Sequence, residues 1–135
     1  QEIMDYVKKF QDHSTSNPCS VSQKAALQAL SSSEEGIREM REEFKQRRDL
    51  LMSLMDQIPG VTYIKPEGAF YLFCDFSVLG DSQDVAKRIL NDVNVALIPG
   101  DGFGAPGFIR ISFSTSKERI REGVKRIAAW VAQNR

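Results

Sequence analysis

One residue of this chain stands out as able to do chemistry by type and position. Arg110 lies in the run Gly107-Phe108-Ile109-Arg110-Ile111-Ser112-Phe113-Ser114-Thr115-Ser116. Ile109, Ile111 and Phe113 alternate with Arg110, Ser112 and Ser114, the period-two pattern of a strand with one apolar face. A guanidinium carried on a strand is a planar, permanently charged fork, and its natural partner is a carboxylate or a phosphate. The pattern alone leaves open whether Arg110 faces water or a ligand. Its face otherwise carries small polar residues, Ser112 and Ser114, which leave room for one. The preceding loop is rich in glycine and aromatic residues, a composition found at the edges of sites.

The other reactive residue types form no constellation. Gly102-x-Gly104-x-x-Gly107 matches the dinucleotide fingerprint by letter. That motif works only where a strand ends and a helix begins, and here the loop leads into a strand with Pro106 inside it. Its glycines are better read as allowing tight turning or close approach. Asp75, Asp81 and Asp101 have no spacing that would pair two carboxylates. There is no Gly-x-Ser-x-Gly elbow, and His13, the one histidine, reads as a solvated loop residue. Lys8, Lys9, Lys45 and Lys65 read as surface charges. Composition, periodicity and spacing therefore imply no catalysis by themselves.

The elements that must position Arg110 follow from periodicity and punctuation. A helix is predicted over about 2–12, ending in His13-Ser14-Thr15-Ser16-Asn17-Pro18. Ser20-x-x-Gln23 offers a capping box to a short helix, and Ser32-x-x-Glu35 another to a long helix over about 33–57. The long helix has an apolar stripe of Ile37, Met40, Phe44, Leu51, Leu54 and Ile58. Pro59-Gly60 ends it. Strands are predicted at 61–64, 69–74 and 95–98, with a helix from Ser82 to about Val93 that turns Val85, Ile89, Leu90 and Val93 inward. The 69–74 strand is apolar on both faces and so reads as central and covered on both sides. After the Arg110 strand, Thr115 and Ser116 can cap a terminal helix bearing Ile120, Val124, Ile127 and Val131. The predicted class is α+β: a two-layer mixed domain with helices packed on a small, mostly antiparallel sheet.

Composition bounds the function further. Eighteen basic residues balance eighteen acidic ones in 135 residues, so nothing points to nucleic acid or to an anionic membrane. No apolar run reaches the ~20 residues needed to cross a bilayer. Cys19 and Cys74 lie far apart and suggest neither disulfide nor zinc. The expectation is a cytoplasmic domain. The start at Gln1, directly in a helical pattern, reads as a cut through a longer protein.

Several blocks resemble the C-terminal part of class I pyridoxal-phosphate aminotransferases. They are Lys65-Pro66-Glu67-Gly68-Ala69-Phe70-Tyr71-Leu72-Phe73, then Val95-Ala96-Leu97-Ile98-Pro99-Gly100 with Phe103-Gly104, then Phe108 to Ser116. Ser14 to Gln23 resembles the bacterial and plastid-type aspartate aminotransferase subgroup, and Arg47-Arg48-Asp49 falls in the long helix where that family has an Arg-Arg-Asp. The resemblance implies a helix, 1–13, entering from a large domain, and a small domain over 14–135 that closes over substrate. It implies that Arg110 grips the substrate α-carboxylate. It places Phe70 beside that arginine, although a core aromatic is an equal reading. It sets Ser16 and Asn17 near the partner subunit's site.

The resemblance also implies pyridoxal 5'-phosphate in the full-length enzyme, amino acid and 2-oxo acid substrates, and a homodimer. The Schiff-base lysine and the groups around the cofactor would lie in the large domain. No cofactor is then expected on this chain alone, which would be inactive. Asp12 stands where animal-type aspartate enzymes carry an arginine for a second carboxylate, so that recognition would come from elsewhere. The alternative is a standalone, non-catalytic module that binds small carboxylates or a protein partner.

Overall fold

The computed structural model describes residues 1–134. These residues cluster as two compact units, Gln1–Gly36 and a second that begins at Ile37.

The first unit holds helices α1 (Glu2–Ser14) and α2 (Ser20–Ser31) and the start of α3 (Glu35–Met55). Helix α1 runs through His13, which occupies its last turn rather than a loop; a histidine there is favourably placed against the helix dipole. Neither predicted capping box forms. Cys19 is the N-cap of α2 and Ser20 lies inside the helix, while Gln23 Nε2 donates to Pro18 O at 2.8 Å. Ser32 ends α2 instead of opening α3, its Oγ donating to Gln28 O at 2.6 Å. A serine hydroxyl can serve either a following helix or the carbonyl four residues back, and here the second wins. Neither α1 nor α2 contains a buried residue.

The second unit is built on a four-stranded antiparallel sheet in the order β1-β2-β4-β3, with β1 Thr62–Tyr63, β2 Tyr71–Asp75, β3 Ile98–Pro99 and β4 Phe108–Ser112. The two five-residue strands are central, as the doubly apolar 69–74 run suggested, but β2 is fully buried on one face only: Leu72 and Cys74 are in the core, whereas Tyr71, Phe73 and Asp75 are half-buried. The predicted 95–98 strand is shorter than expected. Asn94 turns left-handed to end α4 (Ser82–Val93), and Val95 and Leu97 pack against the core, but the ladder begins only at Ile98. Pro99 can sit in β3 because that strand is an edge.

One face of the sheet makes the core. Leu72 and Cys74 of β2 and Ile109 and Ile111 of β4 are buried with Leu51 and Met55 of α3, Val85 and Ile89 of α4, and Ile120, Val124, Ile127, Trp130 and Val131 of α5 (Lys117–Asn134). The layering is that of the predicted α+β class. The stripe of α3 joins this core only from Phe44 onward; Ile37 and Met40 are exposed. Leu90 is exposed as well, because the buried face of α4 runs through Ser82, Val85, Ala86 and Ile89.

Local chemistry fixes the helix ends of this unit. Asp81 caps α4, accepting from Gln83 N at 3.0 Å and Asp84 N at 3.1 Å. Ser116, as predicted, caps α5, accepting from Arg119 N at 3.3 Å. No helix among the described residues is long and apolar enough to cross a membrane.

Candidate functional site

The pleat of β2 and β4 decides which side chains share a face. Phe73 pairs with Arg110, Tyr71 with Ser112 and Asp75 with Phe108. Directly paired residues project to the same side. Since Leu72, Cys74, Ile109 and Ile111 point into the core, the face bearing Arg110 is the one away from the helices. This face is aromatic. Phe73 stacks on Phe108 with centroids 5.2 Å apart, and meets Phe103 edge-on at 6.2 Å.

Arg110 is half-buried in that surround. Its guanidinium carbon lies over the Tyr71 ring, 5.0 Å from the centroid, and over the Phe103 ring at the same 5.0 Å. Among the described residues no carboxylate pairs with it. The three acids noted in the sequence are engaged elsewhere. Asp75 accepts from Ser77 N at 2.8 Å, and its bonds to Ser77 hold its carboxyl below the ordinary range. Asp81 caps α4, and Asp101 accepts a hydrogen bond from the buried Ser82 Oγ. Among the described residues the fork of Arg110 thus rests against two aromatic faces and carries no ion pair.

Phe103 reaches Arg110 from a 3-10 turn, Gly100–Phe103. Gly104 N donates to Asp101 O at 3.0 Å and Ala105 N to Gly100 O at 3.1 Å, closing the turn. A β-carbon at Gly100 would lie 2.3 Å from Ala105 O and 2.8 Å from Phe108 O, so only glycine fits. Gly104 and Gly107 have φ of 72° and 83°, and Gly107 O accepts from Phe76 N at 2.9 Å. The glycine run therefore makes a folded loop into β4, and no helix begins there. The dinucleotide reading fails on the ground given from the sequence.

Phe70 immediately precedes β2. Its carbonyl accepts from Phe113 N at 2.8 Å, and its ring, 52% exposed, meets Tyr71 edge-on at 5.9 Å. A core position for Phe70 is excluded by that exposure. Ala69, just before it, holds a left-handed φ of 62°, a conformation that costs a β-carbon-bearing residue energy. The chain from Phe70 through Tyr71 to Arg110 is thus continuous. Ser16, with φ of 57°, and Asn17 are exposed in the first unit.

The aromatic neighbours Tyr71, Phe73, Phe103 and Phe108 were not singled out from the sequence. The signal was present: aromatic residues at 71 and 73 alternate with the core pair Leu72 and Cys74.

The eight lysines lie mostly at the surface. Lys8, Lys9, Lys24, Lys45, Lys65, Lys87 and Lys125 are exposed. Lys117 is bonded to Glu43 at 3.0 Å and Gln46 at 2.7 Å. Among the described residues no group of three or more His, Cys, Asp or Glu could hold a metal.

The family model described as aminotransferase class I and II matches residues 1–127. The chain belongs to that family. An aspartate aminotransferase of Geobacillus stearothermophilus is 40% identical over 133 residues, covering 94% of this chain and 34% of that protein. An aspartate/prephenate aminotransferase of Cereibacter sphaeroides is 39% identical over 142 residues, covering 97% of this chain and 36% of that protein. The crystal structure of an aspartate aminotransferase from Thermotoga maritima matches with a TM-score of 0.83 and 40% identity over 92% of this chain and 32% of its own. This aminotransferase chain thus spans about a third of the length of the relatives it matches.

Proposed function

We propose that the full-length protein is a pyridoxal-phosphate-dependent aminotransferase of aspartate type, and that this chain supplies its grip on the substrate α-carboxylate. Residues 14–135 form the small domain in this reading, with 1–13 entering it. The intact protein works in the cytoplasm, as a homodimer, on amino acid and 2-oxo acid substrates. When bound, the cofactor supplies the carbonyl and the electron sink for amino transfer. None of this chain's residues fits as its anchor, so the chain alone is inactive.

The observation that carries the reading is the half-buried fork of Arg110, with no carboxylate paired to it among the described residues, within a family match that spans residues 1–127. A carboxylate taken in bidentate fashion is fixed in plane as well as in position, and this orients the bond that must break. Phe70, exposed beside Tyr71, lines the same approach and keeps water from the ion pair. Ser16 and Asn17 are assigned to the edge of the partner subunit's site.

The test is Arg110→Lys in the full-length protein. A point charge cannot reproduce the fork, so kcat/KM for L-aspartate should fall about 100-fold, or ~3 kcal/mol, the worth of two charged hydrogen bonds. An unchanged kcat/KM would remove Arg110 from the site.

A further inference from the structure

We infer that Tyr71 and Phe103 are positioning residues for Arg110: two ring faces that hold its guanidinium in the orientation that receives a carboxylate. The inference rests on the assignment of Arg110 to the substrate carboxylate. It adds a device that the assignment does not require.

The geometry is specific. Both ring centroids lie 5.0 Å from the guanidinium carbon. The two rings come from different parts of the chain, Tyr71 from β2 and Phe103 from the 3-10 turn. A guanidinium resting on aromatic faces is bound through those faces, which leaves the N–H groups at its edge free for hydrogen bonding in plane. A long arginine side chain in water must surrender rotamer freedom when it binds. Here that cost is met in the free protein, and binding gains by the difference.

Each ring is itself held. Tyr71 is a ladder residue opposite Ser112, and Phe70 lies edge-on against it at 5.9 Å. Phe103 is edge-on to Phe73 at 6.2 Å. Its turn is closed by two backbone hydrogen bonds at 3.0 and 3.1 Å and tied to α4 by the bond from Ser82 Oγ to Asp101. Ser82 is fully buried, so the donor end of that tie is shielded from competing water. The turn thus carries Phe103 to the arginine as a rigid part of the fold, although its ring is 55% exposed.

The test compares Tyr71→Leu, Phe103→Leu, Phe103→Tyr and Arg110→Lys in the full-length holoenzyme. Steady-state kcat and KM are measured with L-aspartate and 2-oxoglutarate. The half-reaction with n-propylamine, which has no carboxylate, is followed by cofactor absorbance. Each leucine variant should raise the KM for L-aspartate by about 2- to 30-fold, the range that follows from losing one cation–π contact. The propylamine half-reaction should match the wild type, Phe103→Tyr should restore the KM, and Phe103→Leu should add nothing in the Arg110→Lys background.

Three results would overturn the inference, each differently. A normal KM in both leucine variants, with Arg110→Lys impaired, discards the rings and keeps Arg110. A normal Arg110→Lys enzyme discards the assignment beneath. An equal loss with propylamine and L-aspartate reduces the rings to ordinary packing.

Discussion

Replacing Gly100 by alanine adds one methyl group where two backbone segments pass close together. The new carbon would stand 2.3 Å from Ala105 O, 2.8 Å from Phe108 O and 3.0 Å from Phe108 Cβ. Two of these are backbone carbonyls, which cannot swing aside as a side-chain end can. Ala105 O already accepts from Phe108 N at 3.2 Å, and Gly100 O from Ala105 N at 3.1 Å. Relief therefore means moving the turn off β4 and losing at least one of those bonds. Overpacking of this kind costs roughly 1–3 kcal/mol, and a lost bond adds ~1 kcal/mol, so ~3 kcal/mol is expected. Gly102, two residues away, has nothing within 4 Å of the same added carbon and no positive φ. Gly102→Ala should change stability by no more than ~0.5 kcal/mol. Urea unfolding followed by Trp130, the one tryptophan and a buried one, separates the two variants. With a slope of ~2 kcal/mol/M, the Gly100→Ala midpoint should drop by ~1.5 M while Gly102→Ala stays near the parent. Coincident midpoints for the two variants would refute the steric argument and with it the rigidity assigned to the turn.

Other outcomes follow from local features. Ala69 sits at φ 62°, and a β-carbon there costs ~1–2 kcal/mol; glycine removes that cost but gains freedom when unfolded, so Ala69→Gly should be more stable by ~0.5–1 kcal/mol in the same urea assay. A loss of stability would show that the left-handed turn is not strained. Burial pushes the Cys74 thiol up to about 12 from 9.0, whereas Cys19 is exposed. At pH 8 a thiol reagent should modify Cys19 in the native chain and reach Cys74 only on unfolding; mass spectrometry reads this directly. The linkage has a definite sign. A raised folded pKa means the folded chain holds its proton more tightly. The contribution of Cys74 is therefore whole below pH 9 and is lost as pH climbs toward 12. Unfolding midpoints that stay level across that range would contradict it.

Much of the site was legible because its signals are local. Period-two alternation put Arg110 on one face and Ile109, Ile111 and Phe113 on the other, and no distant contact was needed to see it. The glycine loop was read as a turn rather than a phosphate cradle because a strand follows it. The same reasoning failed at the caps. Ser20 and Ser32 each had two local partners available, and the choice depends on where the neighbouring helix begins, to which a four-residue pattern is blind. Asp81 and Asp101 showed only that their spacing pairs no two carboxylates. One proved to cap α4 and the other to accept from Ser82, a residue nineteen positions away.

The sequence by itself determined the class of the fold, the order of its elements, the family and the face of Arg110, since periodicity and contiguous blocks are properties of the chain alone. Only the tertiary structure decided what stands around that arginine. Tyr71 and Phe103 are thirty-two positions apart, and they meet one guanidinium because strand register, a glycine-closed turn and a buried serine together set their distances. Such meetings depend on packing between elements, and packing is not written in the spacing of any one of them.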